Sequence, residues 1–357
     1  MSRSPNPSSR DRSQPSSTPR SMRSPAMPAG PEAPPDAPVD EFDWIASLRP
    51  LVAQDPRALG LMDDAAVIPA RPGFDLVVSK DALVEGMHAP WGVDGEVFAK
   101  RLLRTSLSDL AAKAAEPFGW FLLAAFPSER GRSWRGAFAQ GIAEDGARFG
   151  LSLLGGDTVA TTGPAVVSAT VLGWVEEGGS ILRSGAREGD FLAVCGAIGD
   201  GLLGLRAVKG EIADPAGALT ARYLLPEPLL RLRSPLIAHA QACADISDGL
   251  LADASHIAEA SGLALEVDLA GAPLSTEGAA WLEAQADRAS ALLELAAGGD
   301  DYALACAVDP ADAEAFIEEV RALGVAASLA GRFEAGSGLK IWVGDLEVSP
   351  ERLGWRH

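Results

Sequence analysis

The residues with chemical potential in this chain are mostly aspartates, and they recur in one local setting. The clearest case is Asp245-Ile246-Ser247-Asp248-Gly249-Leu250. Residues 240–244 ahead of it are small and apolar, the end of a buried strand. Behind it Leu250, Leu251, Ala254, Ile257, Ala258 and Ser261 recur at helical spacing, and Gly262 follows as a C-cap. Two carboxylates therefore sit on a tight turn between a strand and a helix, and Gly249 permits that turn because it takes φ > 0 without steric cost. A purely structural reading, in which Asp248 caps the helix N-terminus, stands beside the functional one but leaves Asp245 unexplained. Similar settings hold Asp63, Asp64, Asp81, Asp109, Asp157, Asp300 and Asp301, most of them beside glycine or at the end of an apolar strand.

Acids gathered in one cleft repel one another, so raised pKa values or bound cations must compensate. Magnesium suits such a site, because it takes oxygen ligands and is commonly held by one or two carboxylates plus substrate phosphates. Glycines beside the acids let phosphates approach backbone N–H groups. The combination points to metal-assisted phosphoryl transfer, in which catalysis is mostly positioning and charge neutralisation. A P-loop is excluded, since none of the five lysines follows a glycine. Gly199-Asp200-Gly201-Leu202-Leu203-Gly204 matches a dinucleotide fingerprint only weakly, and tight packing at a strand-to-helix turn explains it better. No G-x-S-x-G elbow accompanies the four histidines; His239 and His256 fall in predicted helices, whereas His88 lies in a loop soon after Asp81 and is a candidate ligand contact.

Periodicity places these residues on alternating elements. Helices are expected at 41–53 (with Phe42, Ile45, Leu48 and Val52 on one face), 96–115, 134–149, 202–208, 223–240 and 310–323. Strands are expected at 74–79, running into Lys80-Asp81, and at 165–175, 191–195, 264–268 and 303–308, with two more near Ser328 and Ile341. Acids at the ends of neighbouring strands would lie close in space. Gly178-Gly179 marks a boundary between two mixed α/β domains, 41–178 and 179–357.

Composition narrows the field. The chain has 357 residues and a formal net charge of −19, which argues against nucleic-acid binding. Cys195, Cys243 and Cys306 are scattered in apolar contexts, as expected of buried thiols in a reducing, cytoplasmic setting. No apolar run approaches a membrane span of about 18 residues; the densest, 120–126, is short. Residues 1–40 hold ten prolines and no Leu, Ile or Phe, the composition of a disordered Pro/Ser-rich tail without the apolar core of a signal peptide.

Seven motifs in order resemble the thiamine-monophosphate kinase family. They are Leu-Met-Asp-Asp-Ala-Ala-Val at 61–67, Ser-Lys-Asp-Ala-Leu-Val-Glu-Gly-Met-His at 79–88, Ser-Leu-Ser-Asp-Leu-Ala-Ala at 106–112 and Gly-Gly-Asp-Thr at 155–158, then Arg-Ser-Gly-Ala-Arg-Glu-Gly-Asp at 183–190, Asp-Ile-Ser-Asp-Gly-Leu at 245–250 and Gly-Gly-Asp-Asp-Tyr at 298–302. The resemblance covers about residues 42–357 and implies an activity: ATP plus thiamine monophosphate gives thiamine diphosphate plus ADP, with several Mg²⁺ ions and often a monovalent cation, K⁺. It also implies an architecture like aminoimidazole ribonucleotide synthetase, a homodimer of two-domain chains with ATP in the interdomain cleft. Carried over by position, Asp64, Ser79, Asp81, Asp109, Asp157, Asp245 and Asp248 would hold magnesium. Gly156, Asp157, Arg183 and Ser247 would meet ATP, and His88, Asp300 and Trp355 would meet thiamine monophosphate. No residue is implied as a general base, because the acceptor phosphate is already ionised. Departures from the family pattern are Met62 for Gly, Lys80 for Thr, Asp300 for Glu and Ala303 for Glu; a cation at Lys80 would stand in for part of a metal or contact phosphate. Two rivals stay open. One is another ATP-using enzyme of the same superfamily, although no Cys precedes residue 195 as selenophosphate synthetase would need. The other is a non-catalytic ATP- and Mg²⁺-binding paralogue.

Overall fold

Asp40 opens the part of the chain, residues 40–355, that is described by a computed structural model; apart from Asp40, the expected tail 1–40 lies outside the described residues. Asp40 caps α1 (Glu41–Val52) by accepting the Phe42 N–H at 2.9 Å. The buried stripe of this helix is Trp44, Leu48 and Val52, and Phe42 is 75% exposed rather than on the apolar face. Phe42 and Trp44 stand about 200° apart around a helix, so one core cannot take both. There follow β1 (Phe74–Val84), α2 (Gly95–Ala112), β2 (Glu116–Pro127), α3 (Arg132–Phe149), β3 (Ser152–Thr161) and β4 (Val166–Glu176). Their sheet has the order β1-β4-β2-β3, with β3 parallel to β2 and the other pairs antiparallel. The three helices and one sheet face enclose a core that includes Trp44, Phe98, Trp120 and Phe138. The opposite face leaves Leu76, Val78, Leu123 and Val159 exposed.

Three expectations change here. Asp63 and Asp64 follow a 3₁₀ turn (Pro56–Leu61) on irregular chain and end no strand. Asp81 lies inside a β1 that runs five residues further than expected, to Val84. Strands also form at β2 and β3, so the Gly-Gly-Asp-Thr motif is on an edge strand, not a turn.

The second half builds β5 (Phe191–Cys195), α4 (Asp200–Val208), α5 (Ala218–Leu224), α6 (Arg233–His239), β6 (Ala240–Ile246), α7 (Leu250–Ser261) and β7 (Ala264–Asp268). After them come α8 (Thr276–Glu283), α9 (Arg288–Ala296), β8 (Ala303–Val308), α10 (Ala313–Ala322), β9 (Ala327–Glu334), β10 (Gly338–Val343) and β11 (Leu346–Val348). The sheet order is β11-β10-β7-β9-β5-β8-β6. The single helix expected at 223–240 is divided, because Pro226 and Pro228 cannot supply N–H groups and force extended backbone before them. α8 and α9 were not foreseen.

The described residues form one compact unit of mixed α/β architecture built on two sheets. The element that joins them is α2. It packs on β1 and β4 of the first sheet and also touches β6 and α5 of the second half. Asp109, near its C-terminus, is thereby brought against the end of β6 that carries Asp245. No helix among the described residues is long and apolar enough to cross a membrane.

Candidate active site

The turn after β6 is held open by a residue that sequence reasoning passed over. Asp253, in the first turn of α7, is buried, and its Oδ2 accepts the N–H groups of Ser247, Asp248 and Gly249 at 3.0, 3.0 and 3.2 Å. Gly249, at φ 126°, provides the backbone reversal. Asp248 makes no cap bond to α7, so the structural reading of that carboxylate fails. The amides of this turn, expected to be available to phosphate, are already taken by Asp253.

With the turn fixed, Asp245, Ser247 and Asp248 line a cavity of about 270 Å³, facing Asp81 of β1 and Asp109 of α2. Ser79 donates its hydroxyl to the Asp109 carboxylate from behind. The acids crowd one another. Burial, with the Asp109 charge next, pushes Asp81 up to about 6. Burial, with the charges of Asp109 and Asp253, pushes Asp245 up to about 7. Arg183, exposed on a short turn, and Lys113, one turn beyond Asp109, both lie within electrostatic reach of Asp245. Lys113 Nζ donates to the carbonyls of Ile181 and Cys243 at 3.0 Å each, tying α2 to β6. Burial depresses the pKa of this ammonium; the carboxylates of Asp245 and Asp109 work the other way.

The same cavity is also lined by His88, Asp300, Tyr302 and Trp355. His88 Nδ1 accepts the Val84 N–H at 3.0 Å. Asp300 and Tyr302 have φ of 67° and 51°, left-handed values that strain a non-glycine residue. Their N–H groups are fixed to the carbonyls of Ser247 and Ile246, both at 2.8 Å, so the strained loop is tied to the acid-bearing turn. Trp355 N–H reaches the Asp248 carbonyl at 2.9 Å, which brings the C-terminal segment over the cavity.

Other expected residues lie elsewhere. Asp64, Gly156 and Asp157 line a separate cavity of about 470 Å³ at the β3 edge. Asp81, Ala169, Leu122 and Gly156 stand in one register line across the sheet, so β1 and β3 acids are three strand spacings apart, roughly 14 Å. One ion cannot bridge them within this chain. Lys80 projects to the opposite face from Ser79 and Asp81, with Nζ 3.4 Å from Thr170 Oγ1, so it neither replaces a metal at this cavity nor reaches a phosphate there. Ala303 is buried in β8, away from the cavity lining. Asp301 is structural: its oxygens accept Gly199 N–H at 2.7 Å and Gly201 N–H at 2.9 Å. The 199–204 glycine motif is a packing motif, since a Cβ on Gly201 would meet the Gly299 carbonyl at 2.3 Å.

The geometry can be compared with known proteins. The family models for "AIR synthase related protein", N-terminal and C-terminal domains, match residues 62–175 and 187–344. A thiamine-monophosphate kinase of Caulobacter vibrioides is 54% identical over 326 residues, covering 91% of this chain and 93% of its own length. The chain belongs to the thiamine-monophosphate kinase family. A solved thiamine-monophosphate kinase from Stenotrophomonas maltophilia K279a superposes with a TM-score of 0.74 at 32% identity, covering 85% of this chain and 97% of that one. AaThiL complexed with AMPPCP and TMP superposes at 0.70 with 26% identity, covering 89% and 96%.

Asp253, Lys113 and the buried Arg101 were all missed at the sequence level. Each is charged, sits inside an amphipathic helix and reads there as part of a solvated face. Only a charge at an otherwise apolar helical position, as at Lys113 after Leu110, Ala111 and Ala112, could have marked one of them.

Proposed function

We propose that this chain transfers the terminal phosphoryl group of ATP to the phosphate of thiamine monophosphate, giving thiamine diphosphate and ADP, the final step in making that cofactor. The observation that carries the reading is a single cavity lined both by Asp81, Asp109, Asp245 and Asp248 and by His88, Asp300 and Trp355. Trp355 offers a ring for stacking on a heteroaromatic group, and Asp300 offers a carboxylate to a cationic or N–H-donating ring. The acceptor oxygen is ionised at neutral pH, so no side chain has to remove a proton.

The acid cluster fits Mg²⁺. Its donors are hard oxygens, and burial, followed by the neighbouring carboxylate charges, raises the pKa values of Asp81 and Asp245, an environment that a bound cation would relieve. Among the described residues no three acidic, His or Cys side chains form a ready cage, in keeping with an ion that takes one or two carboxylates and completes its shell with phosphate and water. Asp81, Asp109, Asp245 and Asp248 would share several such ions among them, with Ser79 orienting Asp109. Bound Mg²⁺ would neutralise charge on the phosphates. Arg183 and Ser247 are read as nucleotide contacts. Asp64, Gly156 and Asp157 fit the same role only from a second copy of the chain. The apolar outer face of the first sheet, bounded by the long free edges of β1 and β3, supports such a homodimer. A cytoplasmic location accords with three buried free thiols.

Mass spectrometry of a mixture of the protein, ATP, Mg²⁺ and thiamine monophosphate tests the reading. Thiamine diphosphate and ADP are expected in equal amounts. ATP bound but unchanged, with no thiamine diphosphate, would replace this reading with that of a non-catalytic binding protein.

A further inference from the structure

Arg101, Thr105 and Asp109 follow one another at four-residue steps on the side of α2 that faces the cavity. Thr105 and Asp109 line it; Arg101 lies beneath its floor, 1% exposed. The guanidinium donates to three separate walls. Nε reaches the His88 carbonyl at 2.9 Å, Nη1 reaches the Tyr223 carbonyl, and Nη2 reaches Asp300 Oδ1 at 2.7 Å. It also stands 4.4 Å from the centre of the Tyr223 ring. The Tyr302 hydroxyl donates to the same Asp300 Oδ1 at 2.8 Å. Both donors thus hold one oxygen of Asp300, whose partly exposed side chain lines the cavity.

A planar fork fixed on three sides sets the orientation of a carboxylate in a way a flexible ammonium cannot. Arg101 also lies eight residues from Asp109, about 12 Å along a rigid helix, so one helix carries both the contact to Asp300 and a carboxylate of the acid cluster. Resting on the function proposed above, we propose that Arg101 is a positioning residue for the acceptor: by clamping Asp300 Oδ1 it presents Oδ2 to a cationic or N–H-donating nitrogen heterocycle, and it touches neither substrate.

The test uses the full-length enzyme and KM values measured separately for thiamine monophosphate and ATP. Absence of any turnover by the wild-type chain would strike the proposed function itself and is checked first. Arg101→Met is expected to raise the KM for thiamine monophosphate by about tenfold or more while the KM for ATP stays within about twofold, with Arg101→Lys recovering part of the loss. Adding Arg101→Met to Asp300→Asn should change the KM for thiamine monophosphate by less than about twofold, because both act through one oxygen. The proposal is overturned if both KM values rise together, if neither moves in a folded variant, or if the two substitutions multiply. Should Arg101→Met not fold, Tyr302→Phe removes the second donor without touching the buried charge. A selective rise of several-fold in the KM for thiamine monophosphate then supports the clamp, and an unchanged value overturns it.

Discussion

Asp245→Asn should inactivate the enzyme while making the metal-free protein more stable. Asp245 is 5% exposed and shares its surroundings with Asp109 and Asp253, which together with burial lift its pKa from 3.8 to about 7. A carboxylate whose folded pKa is raised contributes most below its unfolded pKa, and that contribution is lost as pH rises through the folded value. At about 1.4 kcal/mol per unit, a rise of that size amounts to roughly 4 kcal/mol of destabilisation at pH 8 and less than half of that at pH 5. Asn has nearly the same shape and no charge, so the variant should be the more stable protein by up to that amount, with the advantage shrinking as pH falls. Urea denaturation of both proteins in chelator at pH 8 and pH 5 measures it, alongside thiamine diphosphate formation at saturating Mg²⁺ and ATP. Activity should fall by about a hundred- to a thousandfold, as expected when a charge-stabilising group is lost. Near-wild-type turnover, or a variant less stable than wild type at pH 8, would refute the reasoning.

The remaining predictions concern other parts of the site. Asp253→Ala leaves three amides, one buried and two partly buried, without their acceptor and should cost about 3–5 kcal/mol. Asp253→Asn keeps an oxygen there and sheds a buried charge whose pKa burial lifts to about 6, so it should stay within about 1 kcal/mol of wild type in denaturant titration at pH 7.5. If β1 of one subunit and β3 of another build each site, Asp81→Asn and Asp157→Asn subunits, each inactive alone, should recover about a quarter of wild-type activity after random reassortment, since half the dimers carry one intact site of two. No recovery from a confirmed heterodimer would mean that Asp157 does not complete a shared site. Trp355→Ala should raise the KM for thiamine monophosphate by about tenfold, the worth of one aromatic stack, with little change for ATP; equal effects on both substrates would remove Trp355 from the acceptor end.

Much of this site was legible in the chain because its chemistry is local. A carboxylate beside glycine at a strand-to-helix turn is encoded within six residues. The expected strand, turn and helix around Asp245 and Asp248 therefore appear as β6, the Gly249 turn and α7. The mixed α/β fold is likewise written in hydrophobic periodicity, which reports each element's own buried face. Where propensity was opposed by proline, as at Pro226 and Pro228, or where a strand of continuous apolar residues lacked alternation, as in β2, the local signal misled.

Tertiary structure alone decided which acids meet. Asp81 and Asp157 look equivalent as sequence motifs, yet strand order puts them on opposite edges of one sheet, while Asp109 and Asp245, 136 positions apart, converge because α2 bridges the two sheets. Strand order and helix packing depend on contacts between distant segments, which no local pattern records. The same holds for Arg101 and Lys113. Each reads as an ordinary charge on a helix, and only the neighbours brought by folding, Asp300 and the Cys243 carbonyl, turn it into part of the site.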